Sequence, residues 1–564
     1  MVDHLRGGLA YTASVLWRGG AWTLGSLVAL YLVLAIGSAR QKSVTVDELG
    51  HLPSGVYTLT TGDLRFASLN PPLLNVLSAL PVLALDLAKP LEAPEPSDDP
   101  FSFWSAGYHF HEMHREDYRR IFDAARWVPI SIVAALGLLL FEWGRRLAPE
   151  APETAGLLAA GFVLFSPNVL AQARIVGTET GTAFFVLLAH FALFAMLRRP
   201  GALTTIGCGV AVGLAQLTKF YALLLYPVFL VIVVVWSWRR VAPAGSRPVA
   251  RLLGAFALSF VVVNAGYLGQ EWGVSLGELR VQSESLQRLQ GSVLGDVPIP
   301  LSGAYVRAFD GQLVEIGSGL RSFLFGETFE GGRPDFYLAL LLVKTPVALW
   351  VAFAVGLAVN LPRPRLAPHE LVLLLAYPVS LFVALSASDG RQLGVRALLS
   401  ATPLVWLWVC ASIARAWPRR WPGIAGAGAL AALVATSVQV HPHYLPFFNF
   451  FAGGSENGYR LASTANVDIG QDLVLLSEFL EQEGSPRIQL LYFGSVDPAL
   501  YGIDYEVPTT ALKPGWLAVS VSLYRSGYPT YDHGALSIVG PVDEASLGEP
   551  IARLGGSIHV YRIR

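Results

Sequence analysis

The chain has 564 residues, 53% of them hydrophobic and only 14% charged, with a mean hydropathy of +0.50 and a formal net charge of −1. A soluble protein of this length needs far more surface charge, so much of its apolar surface must face lipid. The near-neutral balance and the lack of a long basic run argue against a nucleic-acid partner.

Runs of about 17–25 apolar residues suit a helix crossing the hydrocarbon, where only a helix satisfies the backbone from within. About eleven such runs follow one another: 20–38, 126–147, 153–171, 181–198, 202–219, 221–238, 251–269, 336–359, 368–386, 397–414 and 421–439. The first lacks a small-residue cleavage site and is followed by further runs, so it reads as a retained signal-anchor. Cys208 and Cys410 both lie within apolar stretches and imply no disulfide framework.

With the N-terminus inside, the cytoplasmic ends carry Arg18, Arg145–Arg146, Arg198–Arg199, Arg239–Arg240, Arg247 with Arg251, Arg363 with Arg365, and Arg415 with Arg419–Arg420. A further apolar stretch, Pro72–Ala88, would reverse every later arginine pair if it crossed. It is therefore expected to lie along the outer interface or to re-enter. This register predicts a transmembrane unit over 1–439, with outer loops at 39–125 and 270–335. An extracytoplasmic α/β unit follows over 440–564, with an amphipathic helix at Gln471–Gln482 and strands at Arg487–Phe493, Trp516–Leu523 and Ile558–Ile563.

The charges that lie close to apolar runs are the candidates for chemistry. Asp47 and Glu48 open a predicted helix after the first span and could serve as a general base or hold a cation. They could equally be an acidic first turn capped by Thr45. Arg65, in Gly62-Asp63-Leu64-Arg65, precedes the Asn70-Pro71-Pro72 turn. Arg174 and Glu179 share a short outer turn, where they could pair with each other, or Glu179 could face Asp47. Lys219, Lys344, Arg391 and Arg396 fall at outer span ends. Snorkelling explains each singly, while convergence at one depth resembles a phosphate pocket. His109, His111 and His114 lack a metal spacing, since only His111 and His114 share a helical face, and a solvated lip is expected. No P-loop, nucleophile elbow or Rossmann glycine pattern competes.

Several motifs in fixed order carry a resemblance. Thr45-Val-Asp47-Glu48-Leu-Gly-His51-Leu-Pro53-Ser-Gly55, Gly62-Asp63-Leu64-Arg65 and Asn70-Pro71-Pro72-Leu73 resemble the first outer loop of GT-C superfamily glycosyltransferases that use a polyprenyl-phosphate sugar. The protein O-mannosyltransferases and the lipid A aminoarabinose transferase are relatives within that superfamily. Ala173-Arg174-Ile-Val-Gly-Thr178-Glu179, Leu217-Thr218-Lys219, Phe325-Gly326-Glu327, Val343-Lys344-Thr345-Pro346 and Leu393-Gly394-Val395-Arg396 are similar to later segments. Tyr444-Leu-Pro-Phe-Phe-Asn449, Gly453-Gly454 and Asn466-Val-Asp468-Ile-Gly470-Gln471-Asp472-Leu473 resemble a tail motif of bacterial members.

The resemblance implies a polytopic α-helical membrane enzyme of GT-C type in a bacterial inner membrane, transferring sugar with inversion to a protein, lipid or glycan acceptor outside. Asp47, Glu48 and Glu179 would be catalytic, with Asp47 as base. Arg65, Arg174, Lys219, Lys344, Arg391 and Arg396 would hold donor phosphate or substrate. The relatives point firmly to no cofactor, and the three carboxylates could gather a divalent cation, magnesium or manganese. A transporter or flippase of lipid-linked sugars is the alternative. Such folds often show inverted repeats and midplane charges, and neither is seen here.

Overall fold

The computed structural model describes residues 2–564 apart from 242, 244, 318–320, 391, 393, 417–419, 509–511, 526, 527, 533, 534 and 540. Side chains are described from Gly19 onward and outside 526–540. Among these residues seven helices are long and apolar enough to cross a membrane: Gly19–Arg40, Tyr118–Leu147, Glu179–Arg198, Phe220–Trp238, Pro248–Gly266, Pro368–Ser386 and Trp421–Gln439. Two bent pairs raise the number to nine if each is one span. Pro152–Leu164 meets Pro167–Ala173 at 62°, and Phe336–Lys344 meets Val347–Asn360 at 107°. Both breaks fall at a residue before proline, Ser166 and Thr345, each in extended conformation with ψ of 122° and 127°. Proline disfavours the helical region for its predecessor, so the chain must turn there.

The two remaining apolar runs are helical but shorter than expected, at 15 residues for Ala202–Gln216 and 14 for Thr402–Arg415. The charges lie at or just before their missing ends. Lys219 is extended, with φ −163° and ψ 146°, and Arg396 lies in a 3-10 turn, Val395–Leu398. Irregular backbone at such depth persists only where protein covers it. The stretch expected at the interface is the helix Leu73–Ala79 continued by the 3-10 turn Leu80–Ala84, with Leu80 and Leu83 exposed.

Residues 473–563 supply a five-stranded sheet with the order Tyr505–Glu506, Ile488–Leu491, Gly515–Ser520, Ile558–Ile563, Ala552–Leu554. The first three strands are parallel and the last two antiparallel to their neighbours. The helix Leu473–Gln482 packs Leu473, Leu476 and Leu480 against Leu490, Ala518 and Val560 of the sheet. Helix and sheet bury one shared apolar core, as layer packing requires.

Candidate active site

The helix Val46–Thr61 begins with a complete capping box. The Glu48 amide donates to Thr45 Oγ1 at 3.4 Å, and the Thr45 amide to Glu48 Oε2 at 2.9 Å. This cap fixes the directions of two adjacent carboxylates, which diverge by about 100° around the helix. Asp47 points towards Arg396, which donates to both of its oxygens, one through Nη1 and one from Nη2 at 3.3 Å. Glu48 points into the bundle and is fully buried.

Arg396 continues a ladder of alternating charge. Its Nε lies 3.9 Å from Glu179 Oε1, and the same carboxylate oxygen accepts from Lys219 Nζ at 3.0 Å. Side-chain exposures along the ladder are 19% for Asp47, 9% for Arg396, 10% for Glu179 and 12% for Lys219. All four are thus in one shielded place, with Asp47 the most accessible. Of the two arrangements open to Glu179, the pair with Arg174 is not formed. Glu179 faces Asp47 through Arg396.

Beside the ladder is an apolar cavity of about 460 Å³, lined among others by Val395, Leu398, Pro346, Phe382, Trp406 and Trp408. Val395 and Leu398 flank Arg396 in sequence, so the cavity wall and the cation come from one turn. A ligand with a hydrocarbon body and an anionic head matches that juxtaposition.

The other expected site residues lie elsewhere. Both Glu48 oxygens bind Arg126, at 2.8 and 2.7 Å, and Arg126 spends its remaining donors on the carbonyls of Ala39, Lys42 and Ser43 at 2.9–3.0 Å. The Val176 amide also donates to Glu48 at 3.2 Å. Glu48 is therefore a tie between the first loop and two helices. Lys344 is buried, donating to the carbonyls of Leu445 at 2.7 Å and Asn466 at 2.6 Å, with its ammonium 4.6 Å from the Phe448 ring centroid. Arg174 is buried near the Glu48–Arg126 and Lys42–Asp472 pairs, and its guanidinium has no hydrogen-bond partner among the described residues. Arg65 forms a half-exposed pair with Asp63 at 2.6 Å. Arg391 lies outside the described residues.

The expected solvated histidine lip is corrected. His111 and His114 are buried, with His111 edge-on to Tyr118 at 4.7 Å and His114 against Phe110 at 4.5 Å. Burial, and then the Arg115 charge, pull the His111 imidazole down to about 4. The helix Ser102–Met113 packs this face inward because Phe103, Ala106 and Phe110 share it.

No group of three or more His, Cys, Asp or Glu suited to a metal occurs among the described residues. The carboxylate set does not fit one either, since Glu48 is saturated by Arg126 while Asp47 and Glu179 each face a cation.

Two residues to which the sequence alone assigned no role also shape the site. His51 sits one turn after Asp47, with Nδ1 3.0 Å from Asn75 Oδ1. Burial lowers its pKa, against the opposing charges of Asp47 and Glu179. Gly55 lets the Asn75 helix approach so closely, since a Cβ there would lie 2.0 Å from the Asn75 carbonyl. The other is Arg126, whose signal is a cation at the start of the apolar run 126–147, at the end opposite the Arg145–Arg146 pair.

Residues 120–267 match the dolichyl-phosphate-mannose-protein mannosyltransferase family, a stretch that includes Arg126, Arg174, Glu179 and Lys219. No curated protein matches the chain. Among solved structures, the fold is similar to ArnT from Cupriavidus metallidurans bound to undecaprenyl phosphate. That likeness has 13% identity over 93% of this chain and 98% of that one, with a TM-score of 0.48. It is also similar to the Archaeoglobus fulgidus oligosaccharyltransferase in its apo form, at 11% identity over 88% of this chain and 62% of that one, TM-score 0.44. A third similar structure is AglB from Archaeoglobus fulgidus with an inhibitory peptide and a dolichol-phosphate, at 12% identity over 88% and 62%, TM-score 0.43.

The family match, on a helical membrane chain carrying the ordered motifs, relates the protein to the GT-C superfamily, with the protein O-mannosyltransferases among its relatives. Its apolar helices make it an integral membrane protein, and its residues 120–267 are similar to a family of glycosyltransferases.

Proposed function

We propose that the chain transfers a sugar, with inversion, from a polyprenyl-phosphate carrier to a hydroxyl or amine of a protein, lipid or glycan acceptor. The reaction takes place on the non-cytoplasmic face of a bacterial inner membrane, with the N-terminus inside. The observation that carries this reading is the Asp47–Arg396–Glu179–Lys219 ladder beside an apolar cavity.

The carrier's hydrocarbon lies in the cavity and its phosphate meets Arg396 and Lys219. An arriving phosphate competes with Asp47 for the Arg396 guanidinium, so donor binding frees the carboxylate that must act as base. The acceptor oxygen or nitrogen attacks the anomeric carbon while the bond from that carbon to the phosphate oxygen breaks. Asp47 takes the acceptor proton. The electron pair leaves on polyprenyl phosphate, whose growing charge the two cations stabilise in a shielded site. Glu179 holds Lys219 and Arg396 in place and hydrogen-bonds sugar hydroxyls. Glu48, Lys344 and Arg174 support the site from behind, and the chain divides into a membrane unit over 1–439 and an outer unit over 440–564.

The test is transfer in liposomes by purified protein, with polyprenyl-phosphate sugars as donors and analysis of the product's anomeric configuration. Inverted product that depends on Asp47 is expected. Labelled lipid moved across the bilayer with no product would favour the transporter reading instead.

A further inference from the structure

Asp47 and Arg396 stand 349 positions apart in the chain, yet the chemistry proposed for them needs their separation held closely. A displacement of about 1 Å at reacting groups can cost on the order of 100-fold in rate. The tail motif, which no step above uses, bonds to the chain on both sides of that pair.

On one side, the Val46 amide donates to the Ile469 carbonyl at 3.0 Å and the Ser43 amide to the Gln471 carbonyl at 3.0 Å. Ser43 Oγ donates to the Gly470 carbonyl at 2.8 Å and accepts from the Leu473 amide at 3.1 Å. These bonds end at the residue before Asp47. On the other side, the Val395 amide donates to Asn466 Oδ1 at 3.1 Å, again one residue before its partner Arg396. Gly394 has φ +92°, and a Cβ there would come within 2.8 Å of Asn466 Oδ1, so the turn is shaped to the asparagine.

The segment is itself anchored. The Asn466 carbonyl takes the Lys344 ammonium at 2.6 Å, and Asp472 takes Lys42 together with the Ser557 hydroxyl at 2.6 Å. Asn466, Gln471 and Asp472 are all buried, at 1%, 0% and 0% exposure. A strip this inaccessible cannot touch substrate, so any influence it has on the reaction passes through the residues it holds.

We propose that Asn466–Asp472 is a clamp that sets the Asp47–Arg396 geometry, with Asn466 as the positioning residue for Arg396 and the Ile469–Gln471 backbone setting the entry to Asp47. The clamp rests on the functional reading above, and it gives the buried Lys344 a task, since its ammonium pins the strip at Asn466.

The test is a double-mutant cycle on kcat/KM for the donor, using full-length purified enzyme with Asn466→Ala, Arg396→Lys and both together. Asn466→Ala is expected to lose about 10–100-fold, while the double variant stays within about 3-fold of Arg396→Lys alone, because the clamp acts through the residue already impaired. A double variant whose loss is the product of the two single losses overturns the clamp, as does a fully active Asn466→Ala. A fully active Arg396→Lys overturns the functional reading and the clamp with it, and so separates the two failures. If Asn466→Ala does not fold, Ser43→Ala, which removes only a hydroxyl on the Asp47 side of the clamp, carries the cycle with Asp47→Glu in place of Arg396→Lys, and the same non-additivity is expected.

Discussion

Asp47 and Glu48 are neighbours in sequence and opposites in setting. Asp47 belongs to a ladder whose members are about a tenth to a fifth exposed and joined by one pairwise contact after another. Glu48 belongs to a clamp in which both carboxylate oxygens and the Arg126 donors are used, at zero exposure for the acid. The first arrangement can exchange a partner for an incoming anion, because each contact is replaceable by another of like charge. The second cannot, because removing either member leaves a buried charge without its main partner, and Asp123, 3.6 Å from Arg126, offsets it only in part. Adjacent acids can therefore divide the work, one for chemistry and one for architecture.

The comparison breaks most plainly at Asp47. Asp47→Asn keeps shape and removes the base, and transfer is expected to fall by about 100- to 10,000-fold, while the thermal unfolding midpoint in detergent changes little. Glu48→Gln is expected to do the reverse. Arg126 then loses its two-oxygen partner and keeps only Asp123 at 3.6 Å, a loss of up to about 3–5 kcal/mol in stability that appears as a lowered midpoint. A stable Glu48→Gln protein with no activity would erase the distinction between the two acids. Lys219→Met comes next. Losing one charge-assisted contact to phosphate, worth about 1.5–3 kcal/mol, should raise the donor KM by about 10- to 100-fold and leave acceptor KM unchanged.

How much of this was legible beforehand differs by region in the same way. Lys219, Arg396 and Glu179 stood out because a charge at the end of an apolar run is costly and asks for a partner, and their convergence with Asp47 followed from placing those ends at one depth. Glu48 was not separable from Asp47, because its direction depends on Arg126, 78 positions away. Lys344 looked like a donor ligand, yet its partners are carbonyls of Leu445 and Asn466, over a hundred residues on. Apolar composition found every membrane helix and said nothing of the 62° and 107° bends, although Pro167 and Pro346 mark both sites. His111 and His114 were misplaced because helical spacing gives a shared face but not whether that face meets water or Tyr118.

The smallest expected effect concerns acid rather than substitution at the ladder, and it tests whether the tail's buried charges behave like Glu48. His443 Nδ1 lies 2.7 Å from Lys42 Nζ, and the same ammonium pairs with Asp472. Burial, and then the Lys42 charge, pull the His443 imidazole from its ordinary 6.5 down to about 4. The native state thus keeps this ring neutral while the unfolded chain protonates it, so the unfolded state binds more protons between about pH 6.5 and 4. Its contribution to stability is therefore complete above pH 6.5 and is lost as pH falls through that window. Asp472, whose carboxyl Lys42 holds below its usual range despite burial, adds its own loss only below the ordinary carboxylate range. Unfolding midpoints at pH 7.5 and pH 5 should thus differ less in His443→Gln than in the parent chain. An unchanged difference would mean that the ring charges freely in the folded protein, and that the contact with Lys42 is as exchangeable as those of the ladder.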